Sequence, residues 1–548
     1  MSAEAIRDLV PRDAAETAEI GFNVPERYNA SSLLFDNLAQ GRGDKIAVFS
    51  DLGTRTYSEL AEQACRFGNG LLSLGLMRGD RVLLLMADTP AYPAAIMGAI
   101  RAGLVPILVN TLSTADLVSF YAEDAGARVL VFDEAFAEIA GAFSPELLAS
   151  LTAISVNGDG PSALPGALSG ADWLAAQPAT LEVADTGRDD PAFMMYSSGS
   201  TGRPKGILHL QHDALYTAES YARHVLKIRE DDICFSIPKI FFAYGFGNAV
   251  TFPFHAGGSV VLFSGRPTPE AVYGMIARFK PTLLFGLPTL YTAMIKDPSA
   301  DGADLSSVRT CISAAEILSQ EIFDAWKKRF GHEIMEGLGS TEVLHIYLSN
   351  TETEKKIGSA GKIVPGYAAR LIDPEGKPVA AGEDGVLSVR GDSNAPCYWN
   401  RPDKTAETMR DGWIYTGDRF RSDADGFYFF LGRIDDLVKV SGQWVYPLEV
   451  ELCLNEHPEI VECCVAAVEL PDRRTILRAY VTPSKGIKPD DALTQRLKSY
   501  VRETLLPHKA PRDFLYFDEL PKTGTGKIDR QTLLKRTRVE MESVKNPY

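Results

Sequence analysis

Cysteine is scarce: seven in 548 residues (Cys65, Cys234, Cys311, Cys397, Cys453, Cys463 and Cys464), an odd number with no CxxC pair and no zinc-type histidine spacing. That argues against a disulfide scaffold or a structural zinc site and reads as reduced thiols in a cytoplasmic protein. Basic charge is short as well, 56 Lys and Arg against 72 Asp and Glu, for a net −16 at neutral pH. This balance does not suit a chain that holds DNA or RNA by neutralising phosphates, so no nucleic-acid partner is expected. Long apolar runs are missing. The most apolar stretch, residues 91–110, is interrupted by Pro93, Arg101 and Pro106. It falls short of the roughly 20 apolar residues of a membrane span and reads as a buried helix followed by a strand. The first 20 residues contain acidic side chains throughout and no apolar core, unlike a signal peptide. Repeats, coiled coils and low-complexity tracts are absent from the sequence.

What remains is the composition of an ordinary folded protein, 45% hydrophobic and 23% charged, long enough for two to four domains at about 100–200 residues each. Short apolar runs recur at 81–86, 105–110, 127–132 and 259–263, next to segments of helical length and periodicity such as 57–74 and 271–279. That alternation predicts α/β layers with buried, largely parallel strands. Residues 150–190, rich in Gly, Pro, Ala and Ser, read as a surface connection ahead of a strand at 191–196. Beyond about residue 365 shorter strands and turns predict a small β-rich subdomain, and after a break near 432–436 a compact α+β unit follows. The fold class expected is therefore α/β, a large multi-subdomain body followed by a small α+β domain.

The segment YSSGSTGRPKG, Tyr196–Gly206, follows an apolar strand. Its glycines let backbone approach a ligand, while Ser197, Ser198, Ser200 and Thr201 offer hydroxyls and Lys205 a charge, parts that suit a polyphosphate. It is not a Walker loop, because GxxxxGK[ST] is lacking and Pro204 precedes the lysine. Downstream, in order, come GLGSTE at Gly337–Glu342, YTGD at Tyr415–Asp418, GRIDDLVKVSG at Gly432–Gly442 and PKTGTGKI at Pro521–Ile528. Any one of these alone would read as turn or surface.

Together the five motifs resemble the adenylate-forming enzymes: acyl- and aryl-CoA ligases, firefly-type luciferases and peptide-synthetase adenylation domains. The resemblance runs from about Tyr28 to about Leu534. It implies ATP, Mg²⁺ and coenzyme A as co-substrates and cofactor. It implies a nucleotide site built from Ser197, Ser198, Gly199, Ser200, Thr201, Gly202 and Lys205, from Ala314, Ala315 and Glu316, and from Gly337, Leu338, Gly339, Ser340 and Thr341. Glu342, with Thr201, would hold Mg²⁺ against the phosphates, as a hard oxygen ligand can. Asp418 would accept both ribose hydroxyls, and Arg433 would reach the ribose or phosphate side. Lys527 would bridge the substrate carboxylate and the α-phosphate. Asp435 would be the hinge between a body, residues 1–434, and a mobile lid, residues 435–548, with Lys439, Ser441 and Gly442 facing the pantetheine arm. Two departures stand out: Ala315 occupies a position often Gly, and Leu338 replaces the aromatic that commonly stacks on adenine, a less directional contact. The charge divides at the hinge, with −17 on residues 1–435 and +1 on residues 436–548.

KIFFAYGFGNA, Lys239–Ala249, and VLHIY, Val343–Tyr347, closely resemble the benzoate-CoA ligase branch. That branch lines an aryl-carboxylate pocket with residues matching Ala243, Tyr244, Gly245, Gly339, His345 and Ile346. Ile240, Phe246, Val343 and Tyr347 depart conservatively from its pattern, and a methylene or hydroxyl in a pocket changes discrimination by roughly 1–3 kcal/mol. Benzoate, hydroxy- and aminobenzoates and alicyclic acids therefore stay open as substrates, as does an adenylating enzyme that loads a carrier protein. A luciferase-like oxygenase and a non-catalytic nucleotide-binding regulator fit less well, the latter because Glu342, Asp418, Arg433 and Lys527 are all intact. A homodimer is compatible with the resemblance. Lys527, in a Gly-rich loop, would also be a target for a lysine acetyltransferase and deacetylase, since acetylation removes the charge that adenylation needs.

Overall fold

Strands buried on both faces read as unbroken apolar runs, and the run RVLLL forms one such strand, Arg81–Leu85, at the centre of a seven-stranded sheet. The sheet order is Leu168–Ser169, Thr152–Val156, Ala127–Asp133, Arg81–Leu85, Val105–Leu108, Pro191–Ser197 and Lys205–Leu210. All neighbours are parallel except the last pair. Residues 150–190 are thus more than a surface connection. Thr152–Val156, Leu168–Ser169 and the helix Gly170–Ala175 extend this sheet to its edge. The strands are short and flanked by Gly and Pro, so composition hid them.

A nine-stranded sheet runs Lys362–Ile363, Ile346–Ser349, Ile334–Gly339, Thr310–Ser313, Leu283–Gly286, Ile233–Ser236, Ser259–Leu262, Ile46–Ser50 and Arg55–Thr56. Its centre is parallel and its edges are antiparallel. The computed structural model describes residues 6, 9, 20–158, 160–197, 204–440, 443–470, 474–521 and 528–535. Contacts divide it into a first unit, Met1–Arg370 with Ser388–Thr416 and Ala424–Tyr428, and a second, Leu371–Leu387 with Gly417–Asp423 and Phe429–Tyr548. Both large sheets belong to the first unit.

The sheets are joined through two helices. Tyr57–Ser73 packs on strand Ile46–Ser50 of the larger sheet, Ala91–Arg101 packs on Arg81–Leu85 and Val105–Leu108 of the smaller, and the helices pack on each other. Thr56 starts the first helix with a capping box, its hydroxyl accepting from the Glu59 amide while the Glu59 carboxylate accepts from the Thr56 amide. The helices meet backbone to backbone: a Cβ built on Gly98 would stand 2.2 Å from the Ala64 carbonyl oxygen. Elsewhere Trp326 is fully buried and meets Tyr291 edge-on at 4.7 Å. All seven cysteines are buried and unpaired.

The short strands expected beyond residue 365 are present at Ala368–Ile372, Asp384–Arg390, Trp413–Ser422 and Tyr428–Arg433. In the second unit Ile460–Glu469 pairs antiparallel with Thr475–Pro483, which pairs parallel with Asp513–Tyr516. Helices Pro447–Asn455 and Asp491–Thr504 contribute Val450, Leu454, Leu493, Leu497 and Val501 to its core. The buried Glu451 carboxylate is held by Arg530 at 2.7 Å and by the Val465 amide at 2.7 Å. Among the described residues no helix is long and apolar enough to cross a membrane.

The helix contact yields a stability prediction. Gly98→Ala forces the two helices apart and is expected to destabilise the first unit by about 1–3 kcal/mol, the usual cost of overpacking. Urea denaturation followed by tryptophan fluorescence checks this, and an unchanged midpoint would contradict the close approach.

Candidate active site

Parallel strands deliver the loops at their carboxyl ends to one edge, where side chains far apart in sequence converge. Three such loops in the nine-stranded sheet carry candidate residues. Ile233–Ser236 leads to the short helix Ala243–Phe246, Thr310–Ser313 to Ala314, Ala315 and Glu316, and Ile334–Gly339 to Ser340, Thr341 and Glu342. From the seven-stranded sheet, Ser197 ends one strand directly opposite Lys205, which begins the next. Ser198, Gly199, Ser200, Thr201 and Gly202 lie outside the described residues.

His209, which the sequence reading did not single out, connects the two sheets at this edge. It is fully buried in strand Lys205–Leu210. Its Nδ1 meets Asp213 Oδ2 at 2.7 Å, and its Nε2 meets the Thr341 carbonyl at 2.8 Å. A carbonyl only accepts, so the Nε2 proton is donated to Thr341. Tyr398, 2% exposed, makes a second tie. Its hydroxyl donates to Glu342 Oε1 at 2.8 Å, and the Lys205 ammonium sits 4.2 Å from its ring centroid. The Glu342 carbonyl accepts from the Ala395 amide at 2.8 Å. The GSTE turn is thus held through its backbone and one carboxylate oxygen, and the Ser340 hydroxyl is buried with no partner.

Two residues here have left-handed backbone. Ala315 has φ +71° and Leu344 φ +72°, the left-handed region that L-residues with a Cβ rarely take. The first explains the departure noted at Ala315: the turn asks for the conformation glycine adopts freely. Glu316 Oε2 accepts from the Thr289 amide at 3.3 Å. Beneath the turn Glu336 accepts from the Leu318 amide at 2.9 Å, and its other oxygen is buried without a partner. Burial pushes its carboxyl up to about 8, so it is protonated at neutral pH and anchors residues 314–318 as a neutral group. Gly337 and Leu338 pair with Ser349 and Leu348, and Gly339 with Ile346. A Cβ on Gly339 would stand 2.5 Å from the His345 carbonyl.

Several residues expected at an aryl pocket lie around His345, which is 2% exposed. Its ring lies 4.5 Å from Phe252, 5.4 Å from Tyr221 and 5.5 Å from Tyr244. Ala243 and Tyr244 open the helix that Gly245 and Phe246 complete, and Ile346 is buried beside His345. His345 Nε2 meets the Tyr244 carbonyl at 3.2 Å. Burial pushes the imidazole down to about 3, so it is neutral. Neutral imidazole has one N–H, and the carbonyl assigns it to Nε2. Tyr221 and Phe252, absent from the sequence reading, sit in or beside π-helical turns, Ala218–Arg223 and Gly247–Thr251.

In the second unit Arg433 Nη1 lies 3.3 Å from Asp418 Oδ1, bringing the two residues expected at the ribose together. Lys439 is exposed on strand Val438–Val440. Asp435 lies in the turn Ile434–Asp436, and its side chain, like Ser441, Gly442 and Lys527, falls outside the described residues.

Two sheets whose strand ends converge on a Ser/Thr/Gly-rich turn and a buried aromatic wall define the class of adenylate-forming enzymes. The chain belongs to the AMP-binding enzyme family, which it matches over residues 35–399, with the AMP-binding enzyme C-terminal domain over residues 449–527. Within that family it lies in the benzoate-CoA ligase branch. It is 42% identical to a benzoate–CoA ligase of Thauera aromatica, covering 92% of this chain and 96% of that one. Among solved structures, an anthranilate CoA ligase in complex with anthranoyl-AMP superposes with a TM-score of 0.88 at 36% identity, covering 96% and 100%. A benzoate CoA ligase from Burkholderia xenovorans LB400 gives 0.85 at 37%, covering 92% and 100%.

Tyr398→Phe keeps the ring under Lys205 and releases Glu342. A hydrogen bond to a charged group contributes about 1.5–3 kcal/mol, so kcat/KM for ATP in pyrophosphate exchange is expected to fall roughly 10- to 100-fold. Wild-type kinetics in this variant would remove Tyr398 from the site.

Proposed function

We propose that this enzyme is an ATP-dependent aryl-carboxylate:CoA ligase, an AMP-forming acid–thiol ligase. The observation that carries the reading is the continuity of the GSTE turn, ending in Glu342, with the aromatic wall built on His345 three residues later. A flat acid bound against that wall has its carboxylate directed to the turn, beside the phosphate-binding segments. The names of the relatives, ligases of benzoate and anthranilate, support the same chemistry.

In the first half-reaction a carboxylate oxygen attacks the α-phosphorus of ATP, the bond to the pyrophosphate oxygen breaks, and an acyl-adenylate forms with release of pyrophosphate. In the second the CoA thiol attacks the acyl carbon, giving the thioester and AMP while the thiol proton goes to solvent. The protein supplies no nucleophile: it positions the reactants and stabilises charge. The Ser197–Lys205 segment and Ser340–Thr341 hold the phosphates, Ala314–Glu316 and Gly337–Gly339 flank the base, and Asp418 with Arg433 serves the ribose. Mg²⁺ suits Glu342: among the described residues no group of three or more His, Cys, Asp or Glu gathers to hold a metal. A cation held by one carboxylate, a hydroxyl and substrate phosphates is the arrangement magnesium favours. When bound it offsets phosphate charge.

Lys527 stabilises the transition state of adenylation, Asp435 is the hinge between residues 1–434 and 435–548, and Lys439, Ser441 and Gly442 face CoA in thioester formation. These assignments rest on the motif pattern. A second reading, transfer to a carrier protein, is separated by supplying CoA alone.

Two measurements test this. Incubated with ATP, Mg²⁺ and a panel of aryl acids, the protein is expected to release AMP only when CoA is present; no release with any acid ends the reading. Lys527→Ala is expected to slow adenylation by roughly 100- to 1,000-fold, as loss of one transition-state charge partner does. It should still convert preformed aryl-adenylate to the thioester, and equal loss of both half-reactions refutes the division of labour.

A further inference from the structure

The wall around His345 contains more polar atoms than an aromatic ring can satisfy. His345 Nδ1, Tyr244 Oη and both amide atoms of Asn248 are buried without a hydrogen-bond partner of sound geometry, and so is Tyr221 Oη, which lies beside the Ser349 side chain. Asn248 is itself 0% exposed. These groups are neighbours. The Asn248 amide lies beside the Tyr244 hydroxyl without forming a hydrogen bond of sound geometry. Gly247, the residue before Asn248, comes so near His345 that a Cβ on it would stand 2.3 Å from the imidazole. The His345 ring in turn packs against those of Tyr221 and Tyr244.

Buried polar groups are nearly always paired, and a cluster left unpaired in a native fold calls for an explanation. Two features make a ligand that explanation here. First, Tyr221 and Asn248 both stand in π-helical turns, Ala218–Arg223 and Gly247–Thr251, a local widening of the helix that recurs at functional sites. Second, the unpaired set has a definite sense. With its Nε2 proton given to the Tyr244 carbonyl, His345 Nδ1 is a bare acceptor. The Asn248 amide offers both a donor and an acceptor, and the tyrosine hydroxyls can do either. The carboxylate of an aryl acid, acceptor only, cannot fill a bare acceptor, and neither can an unsubstituted ring. A ring hydroxyl or amino group can.

We propose that this wall reads a polar substituent on the ring, with Asn248 as the specificity-determining residue beside Tyr221 and Tyr244, and that the acid is a hydroxy- or aminobenzoate in preference to benzoate. The inference rests on the aryl-CoA ligase reading and narrows it. A site built to hydrogen-bond a substrate group discriminates strongly against the analogue that lacks it, because its own buried groups are then left unpaired.

The test compares kcat/KM, by CoA-dependent AMP release, for benzoate and for the 2-, 3- and 4-isomers of hydroxy- and aminobenzoate. Wild-type enzyme is expected to prefer at least one substituted acid over benzoate by roughly tenfold or more. Asn248→Leu, similar in size and apolar, is expected to lower that ratio at least about tenfold. Tyr221→Phe and Tyr244→Phe keep each ring, remove one hydroxyl and should lower the same ratio; they carry the test if the Asn248 variant does not fold, with KM for ATP reporting an intact nucleotide site. Preference for benzoate in the wild type, or a ratio untouched by all the folded variants, overturns the inference and leaves the ligase reading standing. Failure to activate any acid, benzoate included, removes both.

Discussion

A single imidazole sets the geometry on which this active edge depends. His209 leaves the last strand of one sheet and donates to the carbonyl of Thr341, in the turn that follows a strand of the other, while Asp213 fixes the opposite ring nitrogen. Its face stacks on Phe193 at 5.1 Å, which in turn meets Phe246 at 4.8 Å. The GSTE turn, the aromatic helix and the antiparallel edge strand are therefore referenced to one fully buried ring. Two sheets joined elsewhere by close helix packing acquire at this point a directional hydrogen bond as well.

Around that fixed point the site separates two kinds of chemistry. On the side proposed for the nucleotide, the Glu342 carboxylate is only partly buried, and Ala315 and Leu344 carry left-handed backbone. At the aromatic wall and beneath the turn burial favours the neutral forms: His345 carries no charge, and Glu336 carries a proton. The contrast has a mechanistic logic. A charged acid-side wall would hold the substrate carboxylate where it is, whereas a neutral one leaves that carboxylate free to attack the α-phosphorus.

The sequence revealed a good deal of this, for a physical reason. Residues that sit in short, contiguous motifs stay legible, so Ser197, Lys205, Glu342, Asp418 and Arg433 stood out as candidates, as did Ala243, Tyr244 and His345 through two aromatic strings. Residues that act by reaching across the fold did not. His209 in KGILHL reads as a core histidine, and only the aspartate four positions on hinted at more. Tyr398 lies 56 residues from the carboxylate it holds, in a string that reads as plain core. Asn248 and Tyr221 look like ordinary interior positions until the π-helical turns and the unpaired atoms are seen together. The strands at 152–156 and 168–169 were hidden because edge strands need little apolar length, so Gly- and Pro-rich flanks dominated the composition.

The buried cysteines acquire a meaning once the chemistry is considered. An acyl-adenylate is an electrophile made to be captured by a thiolate, and a protein that generates one is exposed to acylation by its own sulfur. Desolvation raises the pKa of all seven thiols here, with Cys311 pushed up to about 12 and Cys397 to about 11. Burial also keeps them from solvent. Thiolate is the reactive form, so burial disfavours acylation of the enzyme's own thiols by its intermediate and leaves the acyl group for the sulfur that arrives from outside.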